Sequence, residues 1–138
     1  MLAREQGNGP TLISDISATE SIPHKFLELI LLDLKRKGIL QSKKGKGGGY
    51  TLGRPPSLIT VGEVIRALDG PLALLPCVSN TAYQRCEECV DELTCGIRHV
   101  MKEVRDATAT ILDGTTLEDL VDRSKRALES GEPVMYHI

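Results

Sequence analysis

Features that define several protein classes are absent from this sequence of 138 residues. No apolar run approaches the roughly 18 residues of a membrane-spanning helix, so no membrane partner is expected. Residues 1–7 contain no apolar signal region, which predicts a cytoplasmic protein. No internal repeat is present, and a hydrophobic content of 41% in a chain of this length is typical of one or two small domains.

Signatures of common enzymes are also missing. No Gly-Lys pair is followed by Ser or Thr, as a P-loop requires, and Tyr50 stands where a dinucleotide fingerprint beginning at Gly45 needs its third glycine. The histidines His24, His99 and His137 have no evident nucleophile or acid–base partner in the sequence. The sequence therefore predicts that the protein is not an enzyme.

The charge is distributed unevenly, although the net charge is only −2. Residues 1–56 hold nine Lys or Arg against five Asp or Glu, a balance of +4, whereas residues 57–138 hold eight against fourteen, a balance of −6. This asymmetry indicates that the two parts of the chain have different functions. The paired prolines at 55 and 56 mark the boundary between them.

A glycine-rich basic turn over residues 42–50 is the most informative feature of the first part. Its glycines allow positive φ angles and close approach to another molecule, and its three lysines bring positive charge to the tip. The flanks, residues 39–42 and 49–52, are long enough to pair as a hairpin. The alternative interpretation is a solvated, flexible hairpin tip without a ligand.

Two helices are predicted before this turn. Thr11 can cap a first helix over residues 12–18, and Ser21 can cap a second one that has Pro23 in its first turn and ends at Gly38. A second helix that leads into a basic hairpin is typical of a winged helix-turn-helix domain.

The amino-terminal end of the second helix would then meet base edges in the major groove, and the lysines of the turn would meet phosphates or the minor groove. The predicted DNA-binding residues are His24, Lys25, Phe26 and Glu28 on the helix and Lys43, Lys44, Lys46, Gly47, Gly48 and Tyr50 in the hairpin. In the alternative interpretation Phe26 belongs to the core and Glu28 is an ordinary surface residue. Leu29 and Leu32 lie away from the packing face, so we expect a covering helix upstream of a truncated amino terminus, with residues 1–7 as its final turn.

A long helix over residues 96–112 is predicted in the second part, after a shorter helix over Val61 to Leu68 that Thr60 caps. Its apolar stripe is longer than a small core can cover, which favours dimerisation over an intramolecular amphipathic helix. The predicted dimerisation residues are Ile97, Val100, Met101, Val104, Thr108 and Ile111. Residues 115–118 read as a capping box that opens a last helix to about Ser130.

All four cysteines, Cys77, Cys86, Cys89 and Cys95, fall within nineteen residues. In a reducing cytosol such clustering favours metal binding or redox sensing. Four thiolates can hold a zinc ion or an iron-sulfur cluster of the two-iron or four-iron type, and thiol or disulfide sensing and inert cysteines stay open as alternatives.

Six segments in this order resemble the Rrf-two type family of bacterial winged helix-turn-helix transcriptional regulators, of the IscR, NsrR and CymR kind. They are residues 15–17, 26–28, 34–40, 45–52, 59–64 and 116–120, and the resemblance extends over about residues 9 to 122. It implies a homodimer that binds palindromic sites in double-stranded DNA and, in many members, senses through a cysteine-ligated iron-sulfur cluster. A family histidine ligand would fall at Arg98, with His99 one residue later.

The sequence thus predicts a mainly α fold with a small β-hairpin, in which a winged helix-turn-helix DNA-binding domain covers residues 1–56. A cysteine-loop sensor and dimerisation region with the long helix covers residues 57–138. The expected function is transcriptional regulation in which an iron-sulfur cluster or thiol redox state sets the affinity for DNA. The alternative is a zinc- or cluster-binding module for electron transfer or protein interaction without DNA binding.

Overall fold

The computed structural model describes residues 1–131, so His137 lies outside the described residues. Within that range the chain forms five α-helices and one two-stranded antiparallel sheet. The elements are α1 (Ile13–Glu20), α2 (His24–Arg36), β1 (Leu40–Lys43), β2 (Gly49–Leu52), α3 (Val61–Leu68), α4 (Gly96–Asp113) and α5 (Leu117–Ser130). No helix among the described residues is long and apolar enough to cross a membrane.

The chain separates into two compact units. The first contains residues 1–59 together with the chain from residue 116 onward, and the second contains residues 60–115. This grouping differs from the predicted boundary at residue 56, because α5 packs on the turn Pro56–Leu58. The amide of Leu117 also donates to the carbonyl of Ile59, at 2.9 Å. The division into a DNA-binding domain and a sensor region therefore stays a prediction about function.

The helix α2 is fixed in the first unit by one apolar face. Leu27 and Leu31, four residues apart, are 2% and 3% exposed. At its end Gly38 takes a φ of 71°, its amide donates to the carbonyl of Lys35, and the amide of Ile39 donates to the carbonyl of Leu34. This pair of bonds is a Schellman motif, so the predicted role of Gly38 in stopping the helix is confirmed.

The hairpin forms as expected, with Leu40 opposite Leu52 and Lys43 opposite Gly49. Thr11 adds a short third pairing, because its amide and carbonyl exchange hydrogen bonds of 3.0 and 2.8 Å with Tyr50. Gly49 permits this approach: it has a φ of 143°, and a Cβ atom there would lie 2.4 Å from the carbonyl oxygen of Thr11. The prediction that Thr11 caps α1 is wrong, since its backbone is used in the sheet.

Two other predicted caps are displaced. Ser21 does not cap α2, because it is the left-handed residue that ends α1, with a φ of 53°. The capping box of α5 lies one residue later than predicted: the hydroxyl of Thr116 accepts from the amide of Asp119, whose carboxylate accepts from the amide of Thr116. Thr115 is buried, and its hydroxyl donates to the carbonyl of Ile111.

The second unit is built from α3, α4 and the cysteine segment between them. Thr60 caps α3 as predicted, accepting from the amide of Glu63. The guanidinium of Arg66 on α3 donates to both carboxylate oxygens of Asp113 on α4, at 2.6 and 2.8 Å. This bond holds the pKa of Asp113 below its usual range. A bidentate ion pair therefore fixes the two helices side by side.

Candidate nucleic-acid interface and cysteine loop

The first two turns of α2 present all four residues that the sequence predicted there. His24, Lys25, Phe26 and Glu28 are exposed, while Leu27 among them points into the core. The imidazole Nδ1 of His24 lies 3.5 Å from the carboxylate of Glu28. Phe26 is 59% exposed, so the interpretation that places it in the core is wrong. This end of the helix offers a cation, an aromatic ring and a carboxylate to an incoming ligand.

The hairpin tip presents the three lysines of the turn. Lys43, Lys44 and Lys46 are all exposed. Gly48 is buried, and an added Cβ would lie 2.4 Å from the carbonyl oxygen of Lys43, so the turn is tightly folded rather than open. Gly47, with a φ of 73°, makes the reversal, and Tyr50 is half-buried because it pairs with Thr11.

The hairpin is also tied to the end of α2. The ammonium of Lys35 donates to the hydroxyl of Ser42 on β1, at 2.7 Å. Neither residue was predicted to have a functional role, and only the fold brings them together. The bond joins the basic hairpin to the helix that presents His24 and Lys25.

Three of the four cysteines, Cys86, Cys89 and Cys95, lie on the irregular segment before α4. The amide of Cys89 donates to the carbonyl of Cys86, at 3.2 Å. Burial raises the pKa of the Cys89 thiol, and the neighbouring Cys95 and Cys86 raise it further. Cys77 lies apart on the turn Pro76–Val78, where it lines one groove with Cys86.

The donor set suits a soft metal, because thiolates are the usual ligands of zinc and of iron-sulfur clusters. In the arrangement described for residues 1–131, no three His, Cys, Asp or Glu side chains lie close enough together to hold a metal ion. The residues present nevertheless fit such a group by the chemistry of their thiols.

The loop also carries a polar cluster that the sequence did not predict. The hydroxyl of Tyr83 donates to the carboxylate of Glu92, which raises the pKa of Tyr83. Glu92 lies 3.8 Å from the guanidinium of Arg98 at the start of α4. The imidazole Nε2 of His99 lies 2.8 Å from the carbonyl oxygen of Leu93. Arg98 and His99 therefore both bind groups of the loop.

The apolar stripe of α4 is exposed on the second unit. Ile97 is 67% exposed, Val100 57%, Val104 39% and Ile111 65%, whereas Met101 and Thr108 are half-buried. No residue of α4 is buried. A continuous stripe of this kind on an otherwise polar helix is typical of a protein interface.

Comparison with known proteins accounts for this combination of parts. A family model described as Rrf2, iron-dependent transcriptional regulator, matches residues 1–123. A putative Rrf2-like transcriptional regulator of Rhodobacter capsulatus is 41% identical over 119 residues, which cover 86% of this chain and 79% of that protein. The chain belongs to the Rrf2 family. The resemblance inferred from the sequence motifs is thereby confirmed.

Solved structures of Rrf2-type regulators have the same fold. The regulator CymR of Bacillus subtilis is 34% identical over 86% of this chain and 78% of its own length. Its structure, titled as the global cysteine regulator, superposes with a TM-score of 0.71 over 88% of this chain and 85% of that one. IscR of T. potens gives a TM-score of 0.70 at 27% identity, over 98% and 83%. The predicted winged-helix fold is thus confirmed.

Proposed function

We propose that this Rrf2-family member is a dimeric DNA-binding regulator of transcription whose affinity for its operator is set by the state of the cysteine loop. The observation that carries the proposal is the first unit, where α2 presents an exposed amino-terminal end and its last turn is joined through Lys35 and Ser42 to the hairpin that carries the three lysines. The relatives are named as transcriptional regulators, which supports the same role for this chain.

The two parts of the interface have different tasks in this proposal. Lys43, Lys44 and Lys46 neutralise phosphates, which supplies affinity for any DNA and makes that affinity depend on salt. Lys25 and Glu28 reach base edges in the major groove, which supplies sequence preference. Glu28 suits this role because a carboxylate accepts a hydrogen bond from the amino group of cytosine.

A homodimer would read a palindromic site, because two-fold symmetry in the protein requires two equivalent half-sites. The exposed stripe of α4 is the surface we assign to the dimer contact. A second copy of the same helix offers a matching apolar surface, and its burial excludes water from both.

The sensor is assigned to the thiols of Cys86, Cys89 and Cys95, with Cys77 as a possible fourth ligand to an iron-sulfur cluster or zinc ion. An iron-sulfur cluster bound there would supply a redox-active, oxygen-sensitive centre. The iron dependence in the family description supports a cluster, and the likeness to a cysteine regulator supports thiol chemistry without metal.

The DNA contacts are tested by titrating labelled promoter DNA and random DNA at several salt concentrations. Lys44→Ala and Lys46→Ala should each weaken binding to both DNAs and reduce the slope of log affinity against log salt by about one unit. Lys125→Ala, which removes an exposed lysine of α5, is the matched control and should leave the slope unchanged. Unchanged affinity and slope in both hairpin variants would reject the wing assignment.

Sequence preference is tested on the same two DNAs with Lys25→Ala and Glu28→Gln. Each should reduce discrimination between promoter and random DNA, since each removes a group placed at the base edges. An equal loss on both DNAs would instead assign these residues to non-specific binding.

The sensor is tested by purifying the protein without oxygen and measuring iron, zinc and visible absorption. Cys86→Ser, Cys89→Ser and Cys95→Ser should each lose the bound metal or its absorption, because each removes one ligand. A wild-type protein with neither metal nor a reversible disulfide would refute the sensor while leaving the DNA contacts untouched.

A further inference from the structure

The long helix α4 holds the cysteine segment through two arginines on one of its faces. Arg98 and Arg105 are seven residues apart, which places them two turns apart on the same side of the helix. The guanidinium of Arg98 donates to the carbonyl of Cys77, at 3.3 Å. That of Arg105 donates to the carbonyl of Val78, at 2.5 Å, and to the side-chain oxygen of Asn80, at 2.9 Å.

Arg105 is the stronger of these two contacts. Its side chain is only 11% exposed, although it carries a full charge. The carboxylate of the neighbouring Asp106 accepts hydrogen bonds from the Nε and Nη2 groups of Arg105. The backbone that it grips is itself buried, since Val78 is 3% exposed and Ser79 is 7% exposed. A guanidinium that is largely shielded from water and has two acceptors on a distant segment helps to fix that segment, because each lost bond leaves a charged donor unsatisfied.

The same helix carries the apolar stripe. At about 100° per residue, Arg98 and Arg105 lie roughly a quarter turn round the helix from Ile97 and Val104. The segment immediately after Cys77 is therefore bonded to the helix that presents the stripe.

We propose that Arg105 is a positioning residue that clamps residues 77–80 on α4, so that the chemical state of the cysteines changes the strength of the α4 dimer contact. This inference rests on the proposed function, in which the cysteines sense and α4 dimerises. It assigns the link between those two properties to one side chain.

Two measurements on the full-length chain test the clamp. The first is the rate at which each cysteine of the reduced protein is alkylated by iodoacetamide, resolved by mass spectrometry of peptides. Arg105→Gln should accelerate alkylation of Cys77 about tenfold, the factor expected when a charged hydrogen bond is lost, and leave exposed Cys86 unchanged. The second is the dissociation constant of the dimer by analytical ultracentrifugation, reduced and after oxidation with diamide.

Matched variants separate the clamp from general destabilisation. Lys102→Gln removes an equal charge from an exposed position of α4 and should change neither measurement. Asn80→Ala deletes one of the two acceptors and should produce a smaller acceleration at Cys77. Arg105→Lys keeps the charge but has one nitrogen in place of three and so loses the separate bonds to Asp106, and it should therefore accelerate alkylation of Cys77 less than Arg105→Gln does.

The clamp predicts that the dimer dissociation constants of the reduced and oxidised protein differ in the wild type and become equal in Arg105→Gln. Unchanged labelling of Cys77, or equal acceleration at all four cysteines, would overturn it, and so would a retained difference between the two states. If the dissociation constant of the wild-type dimer is the same in the reduced and oxidised protein, the proposed sensor is refuted, and the link between sensor and dimer with it. The alkylation rates would then decide only whether Arg105 holds residues 77–80.

Discussion

The two compact units are stabilised by different kinds of interaction. Six of the seven buried apolar side chains in the described chain lie in the first unit, and Val78 alone belongs to the second. The second unit is held mainly by charged contacts, namely the pair Arg66–Asp113 and the bonds of Arg98 and Arg105 to carbonyl groups. Of these, the pair Arg66–Asp113 is 36% and 44% exposed, so water screens it and it adds little stability.

This difference matches the different functions proposed for the two units. A unit with its own apolar core holds a rigid shape, which suits the reading of a DNA surface. A unit with little core and an exposed stripe has a low cost of local rearrangement, which suits a sensor that is completed by a second copy or a metal. The following predictions test the contrast, from the largest expected effect to the smallest.

Loss of a core side chain should destabilise the first unit most. Leu31→Ala removes a side chain that is 3% exposed, and the free energy of unfolding should fall by about 2 to 5 kcal/mol in chemical denaturation. Leu29→Ala, on the same helix at 61% exposure, is the control and should change stability by no more than about 0.5 kcal/mol. A large loss in Leu29→Ala would show that another surface covers Leu29 in solution.

A charge in the stripe should break the dimer without unfolding the chain. Val100→Asp should raise the dimer dissociation constant about a hundredfold or more, since an unpaired carboxylate would be buried in an apolar contact. Sedimentation equilibrium measures this constant. Thr110→Asp adds the same charge off the stripe and should leave the dimer intact. Equal dissociation in both variants would place the contact elsewhere.

The third prediction concerns the pairing of Thr11 with the hairpin. Gly49→Ala brings a methyl group against the carbonyl of Thr11, so the free energy of unfolding should fall by about 1 to 3 kcal/mol. The amide hydrogen of Tyr50 should also exchange faster with solvent. Gly47 also has a positive φ, but a Cβ atom there would have no atom within 4 Å. The smaller loss of stability expected for Gly47→Ala therefore measures backbone strain alone. Identical behaviour of the two variants would argue against the pairing of Thr11 with Tyr50.

The smallest effect is expected at the capping box of α5. The amide and hydroxyl of Thr116 hold the pKa of Asp119 below its usual range, so its contribution to stability is present above the ordinary aspartate value of 3.8 and is lost as the pH falls through the lower folded pKa. Asp119→Asn should therefore lower the melting temperature modestly at neutral pH, and the difference from wild type should shrink below about pH 4. Glu118→Gln, in the same turn, is the control. If the difference in melting temperature between Asp119→Asn and the wild type stayed constant down to pH 2, the ionised carboxylate of Asp119 would not be the source of the stabilisation.

The sequence predicted the secondary-structure elements well where the hydrogen-bond partner of a residue lies only a few positions away in the chain. Thr60 caps α3 over the predicted residues, and Gly38 stops α2, because a cap or a Schellman motif is completed within a few residues of the chain. The hairpin followed in the same way from its glycines and its two short flanks. The resemblance to the Rrf-two type family was likewise carried by contiguous motifs.

The errors arose where a distant group competes for the same atoms. Thr11 has a good capping side chain, but its backbone pairs with Tyr50, thirty-nine residues away. The cysteine spacing indicated four possible ligands, and the fold binds the carbonyl of Cys77 to Arg98 while Cys86, Cys89 and Cys95 lie on the irregular segment before α4. Arg105 carried no signal in the sequence, since an arginine on an amphipathic helix is ordinarily solvated.

The sequence by itself determined the helices, the basic turn and the clustering of the thiols, because periodicity, glycine positions and spacing are local properties of a chain. The tertiary structure decided that α5 packs with the first unit, that Thr11 joins the hairpin and that Arg105 grips the segment after Cys77. Each of these is a hydrogen bond or a packing contact between residues far apart in the chain. Such contacts depend on which surfaces are buried together, and no local pattern of residues specifies that.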